Sequence, residues 1–239
     1  LGLLVVADGM GGHNSGEVAS DAAAGTIVDF ARKMRGGSKN LVPEGGSPAL
    51  TVRGRQLEYF VKTANTMIYE KGRAFPKDAG MGTTVVAALL DAKSMTVAHV
   101  GDSRLYLWRR GEFTQLTVDH SLVGEMVRRG QISPEDAARS PQQNILTRAL
   151  GAEGDVAVDV AEHPLLPGDL VLLVADAPGA AEVVRRVIDG DEHVVICLVR
   201  IAEESPIGVR QHPRRDERTR LICILGGERA IVIVVPEPR

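Results

Sequence analysis

The residues most suited to chemistry stand at the start of the chain, where an apolar run ends in one carboxylate and several glycines. Residues 1–12 read Leu-Gly-Leu-Leu-Val-Val-Ala-Asp-Gly-Met-Gly-Gly. Burying a carboxylate such as Asp8 costs on the order of several kcal/mol unless a cation, hydrogen-bond donors or water compensate it. Gly9, Gly11 and Gly12 let the backbone approach a ligand closely, which favours a metal or phosphate site. The alternative is a tight strand-to-helix turn in which Asp8 acts as a cap.

Two further aspartates are candidates for the same site. A second apolar run, over residues 170–176, ends at Asp176, and Asp102 separates two β-prone runs. Two buried strands that both end in an aspartate suggest one shared site. The simpler interpretations are that Asp102 is a hairpin-turn residue bonded to its own backbone and that Asp176 is a capping residue.

The basic side chains also have two interpretations. Arg104 and Arg148 could bind phosphate, but an arginine more commonly pairs with a nearby carboxylate. The histidines share no helical spacing, so each is expected to be solvated or hydrogen-bonded and not a metal ligand. Those considered are His13, His99, His120 and His163.

The elements that must position these aspartates begin with one strand and two helices. Residues 1–6 lack polar and apolar alternation, which predicts a strand buried on both faces. Apolar residues recur every three or four positions over residues 17–33 and 50–73, which predicts two helices. Residues 35–48 are rich in Gly, Ser, Pro and Lys and predict an exposed loop.

Short β-prone runs follow the helices. Their brief connections predict an antiparallel meander and argue against a doubly wound nucleotide-binding sheet, whose parallel strands need long crossovers. An insertion of short helical pieces is predicted over residues 119–150, with Ser133 as a cap and Pro134 at a first helical position. The predicted strands span residues 83–90, 95–100, 104–108, 112–117, 155–162 and 170–176.

Composition restricts the partners and the compartment. The chain has 239 residues, of which 44% are hydrophobic and 25% charged, which fits one domain with a substantial core. The net charge of -3 gives no sign of the basic surface that binding of nucleic acid requires. No apolar run approaches the ~18 residues of a membrane span, and the N-terminus lacks the order of a signal peptide. We therefore expect a single cytoplasmic domain, monomeric, that binds neither nucleic acid nor membrane.

Six motifs, in a fixed order, resemble those of a known family. Together they are similar to the bacterial metal-dependent serine/threonine protein phosphatases of the protein phosphatase 2C (PPM) type. The resemblance covers roughly residues 1–176 and implies an α+β fold, a layered α/β/β/α sandwich of two antiparallel β-sheets flanked by helix pairs. The motifs are Val5-Val-Ala-Asp-Gly-Met-Gly-Gly-His13, Gly16-Glu17, Gly82-Thr-Thr84, Val100-Gly-Asp-Ser-Arg104, Asp119-His-Ser121 and Asn144-Ile-Leu-Thr-Arg-Ala-Leu-Gly151.

The resemblance also implies a metal site and a reaction. Asp8 matches an aspartate that bridges two Mg²⁺ or Mn²⁺ ions, and Gly9 a glycine that ligates one of them through its carbonyl oxygen. Asp176 matches another metal-binding aspartate of the catalytic centre. Asp102 matches an aspartate that binds, together with the one at Asp176, a third and more weakly held ion. Oxygen ligands suit these hard cations. The implied reaction is hydrolysis of phosphoserine and phosphothreonine in proteins, the products of a serine/threonine kinase, by a water activated between two metals.

The sequence departs from the family pattern outside the matched motifs. A first strand with a phosphate-binding arginine has no counterpart here. Arg229 and Ala230 stand where the family has Asp-Asn, next to a last strand expected over residues 226–235, and a cation there would repel a metal. Residues 177–225 are expected to be a divergent segment, a disordered loop or a damaged reading frame. An impaired relative that binds phosphoproteins or a kinase is the alternative function, and a small-nucleotide-binding protein is a third hypothesis.

Overall fold

Two β-sheets pack face to face, and two long helices cover one of them. The computed structural model describes residues 2–11, 15–36, 48–91, 93–167 and 169–175, and the backbone of five strands between residues 182 and 236. The helices are α1 Ser15–Arg35, α2 Val52–Ala74, α3 Leu122–Arg128 and α4 Pro134–Ala138, with a 3₁₀ helix at Pro76–Asp78. The strands are β1 Gly2–Met10, β2 Gly82–Thr83, β3 Val85–Leu90, β4 Ser94–Val100, β5 Arg104–Arg109, β6 Glu112–Gln115, β7 Asp159–Pro164, β8 Leu170–Ala175, β9 Glu182–Val187, β10 Ile196–Arg200, β11 Gly208–Pro213, β12 Thr219–Gly226 and β13 Arg229–Pro236.

The first sheet is antiparallel throughout and has β1 near its centre. Strand β1 pairs with β3 and β9, its end pairs with β2, and β4 and β7 follow β3. The second sheet has the order β10-β8-β5-β6, in which β5 is antiparallel to both neighbours and β10 is parallel to β8. Strands β11, β12 and β13 form a separate antiparallel sheet.

Strand β1 is buried on both faces because its alternate side chains enter two apolar clusters. Leu3 and Val5 belong to the cluster beneath α1 and α2, which also contains Phe60. Leu4 and Val6 belong to the cluster between the two sheets. The prediction of a strand without a solvated face is therefore confirmed.

The α+β sandwich and the first two helices are also confirmed, and the described residues supply one of the two predicted helix pairs. Helix α2 begins after Thr51, whose hydroxyl accepts the Gly54 N–H at 3.2 Å. Ser133 caps α4 in the same way, and Pro134 occupies its first turn. Most of the predicted loop over residues 35–48 lies outside the described residues. None of the described helices is both long enough and apolar enough to cross a membrane.

The predicted meander is wrong at its centre. Strand β4 pairs with β3 on one side and β7 on the other, so it has no edge left for β5. Strand β5 instead joins the second sheet, where Leu105 and Leu107 enter the cluster between the sheets. The chain changes sheets at Gly101, which has a positive φ of 109°. Asp102 therefore lies in a crossover between sheets, and its interpretation as a hairpin-turn residue is wrong.

The first turn of α1 packs directly on the backbone of β1. A Cβ atom on Gly16 would lie 2.8 Å from the carbonyl carbon and oxygen of Gly9, and a Cβ atom on Gly9 would lie 1.9 Å from the Gly16 carbonyl oxygen. Real Cβ atoms do not come this close to backbone. Glycine at both positions lets helix and strand meet immediately after Asp8.

This contact predicts opposite effects for two glycine substitutions in the same helix. Gly16→Ala should lower the free energy of unfolding by about 1–3 kcal/mol, because the added methyl group would overlap Gly9. A Cβ atom on Gly25 would meet nothing within 4 Å. Gly25→Ala should therefore raise the free energy of unfolding by about 0.5–1 kcal/mol. Urea unfolding followed by circular dichroism measures both, and equal effects would contradict the close contact.

Candidate functional site

Asp8 lies near the end of β1 and is only 7% exposed. Its backbone N–H donates to the Thr84 hydroxyl oxygen at 3.2 Å. Its carbonyl oxygen accepts the Thr84 N–H and the Thr83 hydroxyl, both at 2.9 Å. Strand β1 continues beyond Asp8 to Met10, and α1 begins only at Ser15. Asp8 is therefore part of a strand, and its interpretation as a cap is wrong.

Asp102 lies in the crossover that links β4 to β5. The preceding Gly101 makes two hydrogen bonds with His120: its N–H donates to His120 Nδ1 at 3.0 Å, and its carbonyl oxygen accepts the His120 N–H at 2.9 Å. The following Ser103 is buried, and its hydroxyl oxygen lies 2.6 Å from that of Thr84. Because Thr84 also contacts the backbone of Asp8, the structure brings together the segments that carry Asp8 and Asp102.

The positions of the other two predicted site residues, Asp176 and Arg229, are known only from the strands at or next to them. Asp176 lies outside the described residues, but the strand before it, β8, ends beside the start of β5, with Val174 opposite Arg104. Arg229 begins β13, which pairs with β12 in the separate sheet. Strand pairing therefore does not bring Arg229 to Asp8, and the interpretation of Arg229 as a replacement for a metal ligand stays a prediction.

The oxygen atoms at and beside Asp8 are suitable ligands for a hard divalent cation. Its carboxylate is buried at the end of an apolar strand, so a compensating charge or a set of donors is required. Gly9 has no side chain and is in backbone contact with α1. A carboxylate and a backbone carbonyl offer oxygen atoms alone, which are the ligands preferred by Mg²⁺ and Mn²⁺.

A second group of potential ligands comprises His99, His120 and Asp159, whose ligand atoms lie within 4.8 Å of one another. The two rings stack with their centroids 4.6 Å apart. His120 Nδ1 accepts the Gly101 N–H, so the proton of the neutral ring is on Nε2, 3.3 Å from an Asp159 carboxylate oxygen. A metal-binding histidine normally donates a proton through its second nitrogen, which His120 cannot do here.

The charge of a neighbouring arginine is a second argument against a metal in this cluster. His99 Nε2 donates to the Val118 carbonyl oxygen at 2.9 Å. Arg148 pairs with Asp159 at 2.7 Å and would repel a cation. His99 and His120 are thus hydrogen-bonded histidines, as expected.

The two arginines considered for phosphate binding are paired with carboxylates. Arg104 donates from Nε and Nη2 to the Asp119 carboxylate at distances of 2.5–3.0 Å, in addition to the pairing of Arg148 with Asp159. The expectation that both arginines form ion pairs is confirmed. Pairing with a carboxylate is therefore the simpler interpretation of both guanidinium groups.

Burial keeps the stacked histidines neutral. Burial, together with repulsion from His99 and Arg148, lowers the pKa of His120 from 6.5 to about 4. Burial also lowers the pKa of His99. A neutral His120 is required for the crossover, because a protonated Nδ1 could not accept the Gly101 N–H.

Sequence reasoning missed the positioning roles of Thr83, Thr84, Ser103 and His120, although the motifs contain all four. Periodicity cannot reveal contacts between polar residues far apart in the chain. The available signal was two adjacent threonines at the start of an otherwise apolar strand, since buried hydroxyls require hydrogen-bond partners.

The lowered pKa of His120 predicts acid-dependent stability. The unfolded chain binds a proton at His120 below about pH 6.5, whereas the folded chain binds it only near pH 4. The stability that the neutral ring contributes is therefore fully present above pH 6.5 and is lost as the pH falls from 6.5 to 4. His120 alone should account for about 2–3 kcal/mol of lost stability between pH 7 and 4.5. His120→Asn offers a carbonyl oxygen to the Gly101 N–H and cannot ionise, so it should show a smaller loss.

Urea unfolding at pH 7, 5.5 and 4.5 checks this expectation. Glu135→Gln, at an exposed position on α4, is a control that removes one titratable group elsewhere. An unchanged pH dependence in His120→Asn would show that the ring is not held neutral by its surroundings.

Comparison with known proteins places this site in a family. The sequence model described as protein phosphatase 2C matches residues 2–126. The serine/threonine phosphatase stp of Listeria innocua is 39% identical over 176 residues, which are 73% of this chain and 65% of the relative. The crystal structure of the Mycobacterium tuberculosis serine/threonine phosphatase PstP/Ppp matches with a TM-score of 0.60 and 34% identity, over 72% of this chain and 66% of that one.

A third relative was solved with metal. The catalytic domain of the phosphatase PstP in complex with two manganese ions matches with a TM-score of 0.56 and 32% identity, over 70% of this chain and 64% of that one. The present chain thus spans just under two thirds of the length of these three relatives. Since the family model covers more than half of the 239 residues, the chain belongs to the protein phosphatase 2C family.

Proposed function

We propose that this protein hydrolyses phosphoserine and phosphothreonine in proteins, in a reaction that depends on Mg²⁺ or Mn²⁺. The observation that carries the proposal is the buried carboxylate of Asp8, held in a strand whose backbone is linked through Thr84 to the crossover that carries Asp102. Family membership and the phosphatase relatives support the class of reaction.

The proposed ligands are all oxygen donors. We assign two ions to the Asp8 carboxylate, the Gly9 carbonyl oxygen and Asp176, and a third, weaker ion to Asp102 together with Asp176. The relative with two manganese ions supports the number of principal ions. When bound, two divalent ions would supply an acidified water and offset the negative charge of the phosphoryl oxygens.

The chain's own contribution is to hold the Asp8 carboxylate in place. Its backbone is fixed by Thr83 and Thr84, which fixes the point on the strand from which the carboxylate extends. The side chains of β1 that precede Asp8, from Leu3 to Ala7, are apolar and buried, which limits access of water from within the fold. The first turn of α1 contacts Gly9, and the positive end of a helix dipole favours a neighbouring carboxylate.

The setting of this activity is part of the same proposal. We infer a single domain over residues 1–239, cytoplasmic and monomeric, that acts in bacterial signalling on proteins phosphorylated by a serine/threonine kinase. The bacterial phosphatase relatives support the role in signalling, and the net charge of -3 argues against a nucleic-acid partner. A family member that binds phosphoproteins without turnover is the alternative that the experiment below separates.

Substitution of Asp8 should remove both metal binding and turnover. Asp8→Ala deletes the carboxylate common to both principal ions, so the heat of Mn²⁺ binding should disappear from the calorimetric titration. Asp102→Ala should keep the tighter binding and lose only a weak site. Hydrolysis of p-nitrophenyl phosphate and of a phosphothreonine peptide should require Mn²⁺ and should be lost with Asp8→Ala.

Asp29→Ala is the matched control, because Asp29 is an exposed aspartate that pairs with Arg32 on α1. Unchanged Mn²⁺ affinity in Asp8→Ala would refute the ligand assignment. Tight Mn²⁺ and phosphopeptide binding by the wild type without any turnover would support the non-catalytic alternative.

A further inference from the structure

We propose that the hydroxyl groups of Thr84 and Ser103 form a buried link that fixes the Asp8 strand and the Asp102 crossover relative to each other. Both are positioning residues for the metal-dependent reaction, so this inference rests on the proposed function. Thr84 lies between β2 and β3 in the first sheet, and Ser103 lies where the chain enters the second sheet. The link therefore joins the Asp8 strand of the first sheet to the crossover that leads into the second sheet.

The hydrogen bonds converge on one oxygen atom. Thr84 Oγ1 accepts the Asp8 N–H at 3.2 Å and lies 2.6 Å from the Ser103 hydroxyl oxygen. Thr84 is 2% exposed and Ser103 is 1% exposed. Water does not reach this position freely, so loss of either hydroxyl leaves the remaining polar groups poorly satisfied.

Packing restrains the crossover from the same side. A Cβ atom on Gly101 would lie 2.6 Å from both Cβ and Cγ2 of Thr84. The methyl group of Thr84 thus rests on the backbone of Gly101 while its hydroxyl binds Ser103. Asp102 stands between two residues that both contact Thr84.

His120 restrains the crossover through separate bonds. It accepts the Gly101 N–H and donates its own N–H to the Gly101 carbonyl oxygen. With Gly101 held by His120 and Ser103 held by Thr84, the backbone of Asp102 has little freedom. Its position relative to Asp8 then depends on Thr84, which contacts both segments.

Thr96, a buried threonine in the same sheet, offers a control that distinguishes the positioning role from a general effect on stability. Thr96 is 1% exposed and pairs with Leu89, at the opposite end of the β3–β4 ladder from Thr84. Its hydroxyl lies 3.4 Å from a Glu162 carboxylate oxygen and contacts neither Asp8 nor Ser103 in the hydrogen bonds of the described residues. Thr96→Val therefore tests loss of a buried hydroxyl without loss of the link.

The experiment compares Thr84→Val, Thr84→Ser, Ser103→Ala, the double variant of Thr84→Val with Ser103→Ala, and Thr96→Val in the full chain. Mn²⁺ affinity is measured by calorimetry, and the Mn²⁺ dependence of p-nitrophenyl phosphate turnover gives a second value. Thr84→Val should weaken both the tighter and the weaker Mn²⁺ binding by about tenfold, and Ser103→Ala should weaken the weaker site, assigned to Asp102, by about tenfold. The double variant should be little worse than Thr84→Val alone. Thr84→Ser keeps the hydroxyl and should stay within about twofold of wild type.

Amide hydrogen exchange of the metal-free chain gives a readout that needs neither metal nor turnover. Ser103→Ala should accelerate exchange in the segment around Asp8, and Thr84→Val should accelerate it around both Asp8 and Gly101. Thr96→Val should leave both segments at wild-type rates. If Thr84→Val does not fold, Ser103→Ala and Thr84→Ser still decide the question.

Two results would overturn the link. One is an unchanged exchange rate around Asp8 in Ser103→Ala, and the other is a Thr84→Val variant whose Mn²⁺ affinity matches that of Thr96→Val. A wild-type chain that shows no turnover would refute the proposed function alone, because the exchange measurements would still establish or exclude the link.

Discussion

The burial of one carboxylate at the end of a strand that is apolar on both faces is the constraint on which the rest of this structure depends. Strand β1 can be central only because helices cover one of its faces and a second sheet covers the other. Asp8 must then be compensated where that apolar environment ends. Thr83 in β2 and Thr84 directly after it hydrogen-bond to the backbone of Asp8, and the first turn of α1 contacts Gly9.

The crossover at Asp102 extends the same principle to the second sheet. Because β4 is already paired on both edges, the chain has to leave the first sheet at Gly101, and it does so beside Thr84. The candidate site therefore forms where the chain crosses from one sheet to the other, and its geometry depends on how the two sheets pack. The apolar cluster shared by Val6, Leu105 and Leu173 contributes to the alignment of the site as well as to stability.

Much of the scaffold could be predicted from sequence, because its signals are local. Apolar spacing predicts α1 and α2, the absence of alternation predicts β1, and Ser133 with Pro134 predicts the start of α4. The sheet to which β5 belongs could not be predicted in this way, since strand pairing depends on which edges other strands have already occupied. The contact of Thr84 with Ser103 and the neutral state of His120 are likewise properties of the folded arrangement. The motif order indicated where the site lies, but not what holds it together.

The neutral histidines have a consequence for enzyme kinetics. Burial lowers the pKa of all three histidines whose side chains the structure describes, His99, His120 and His163. Each of these rings should therefore gain its proton at a lower pH than an ordinary histidine, and His120, with a pKa of about 4, should stay neutral between pH 6.5 and 8. A phosphate monoester, by contrast, loses its second proton near pH 6. In the proposed reaction, a bend in the pH–rate profile near pH 6 would then report ionisation of the substrate and not of His120.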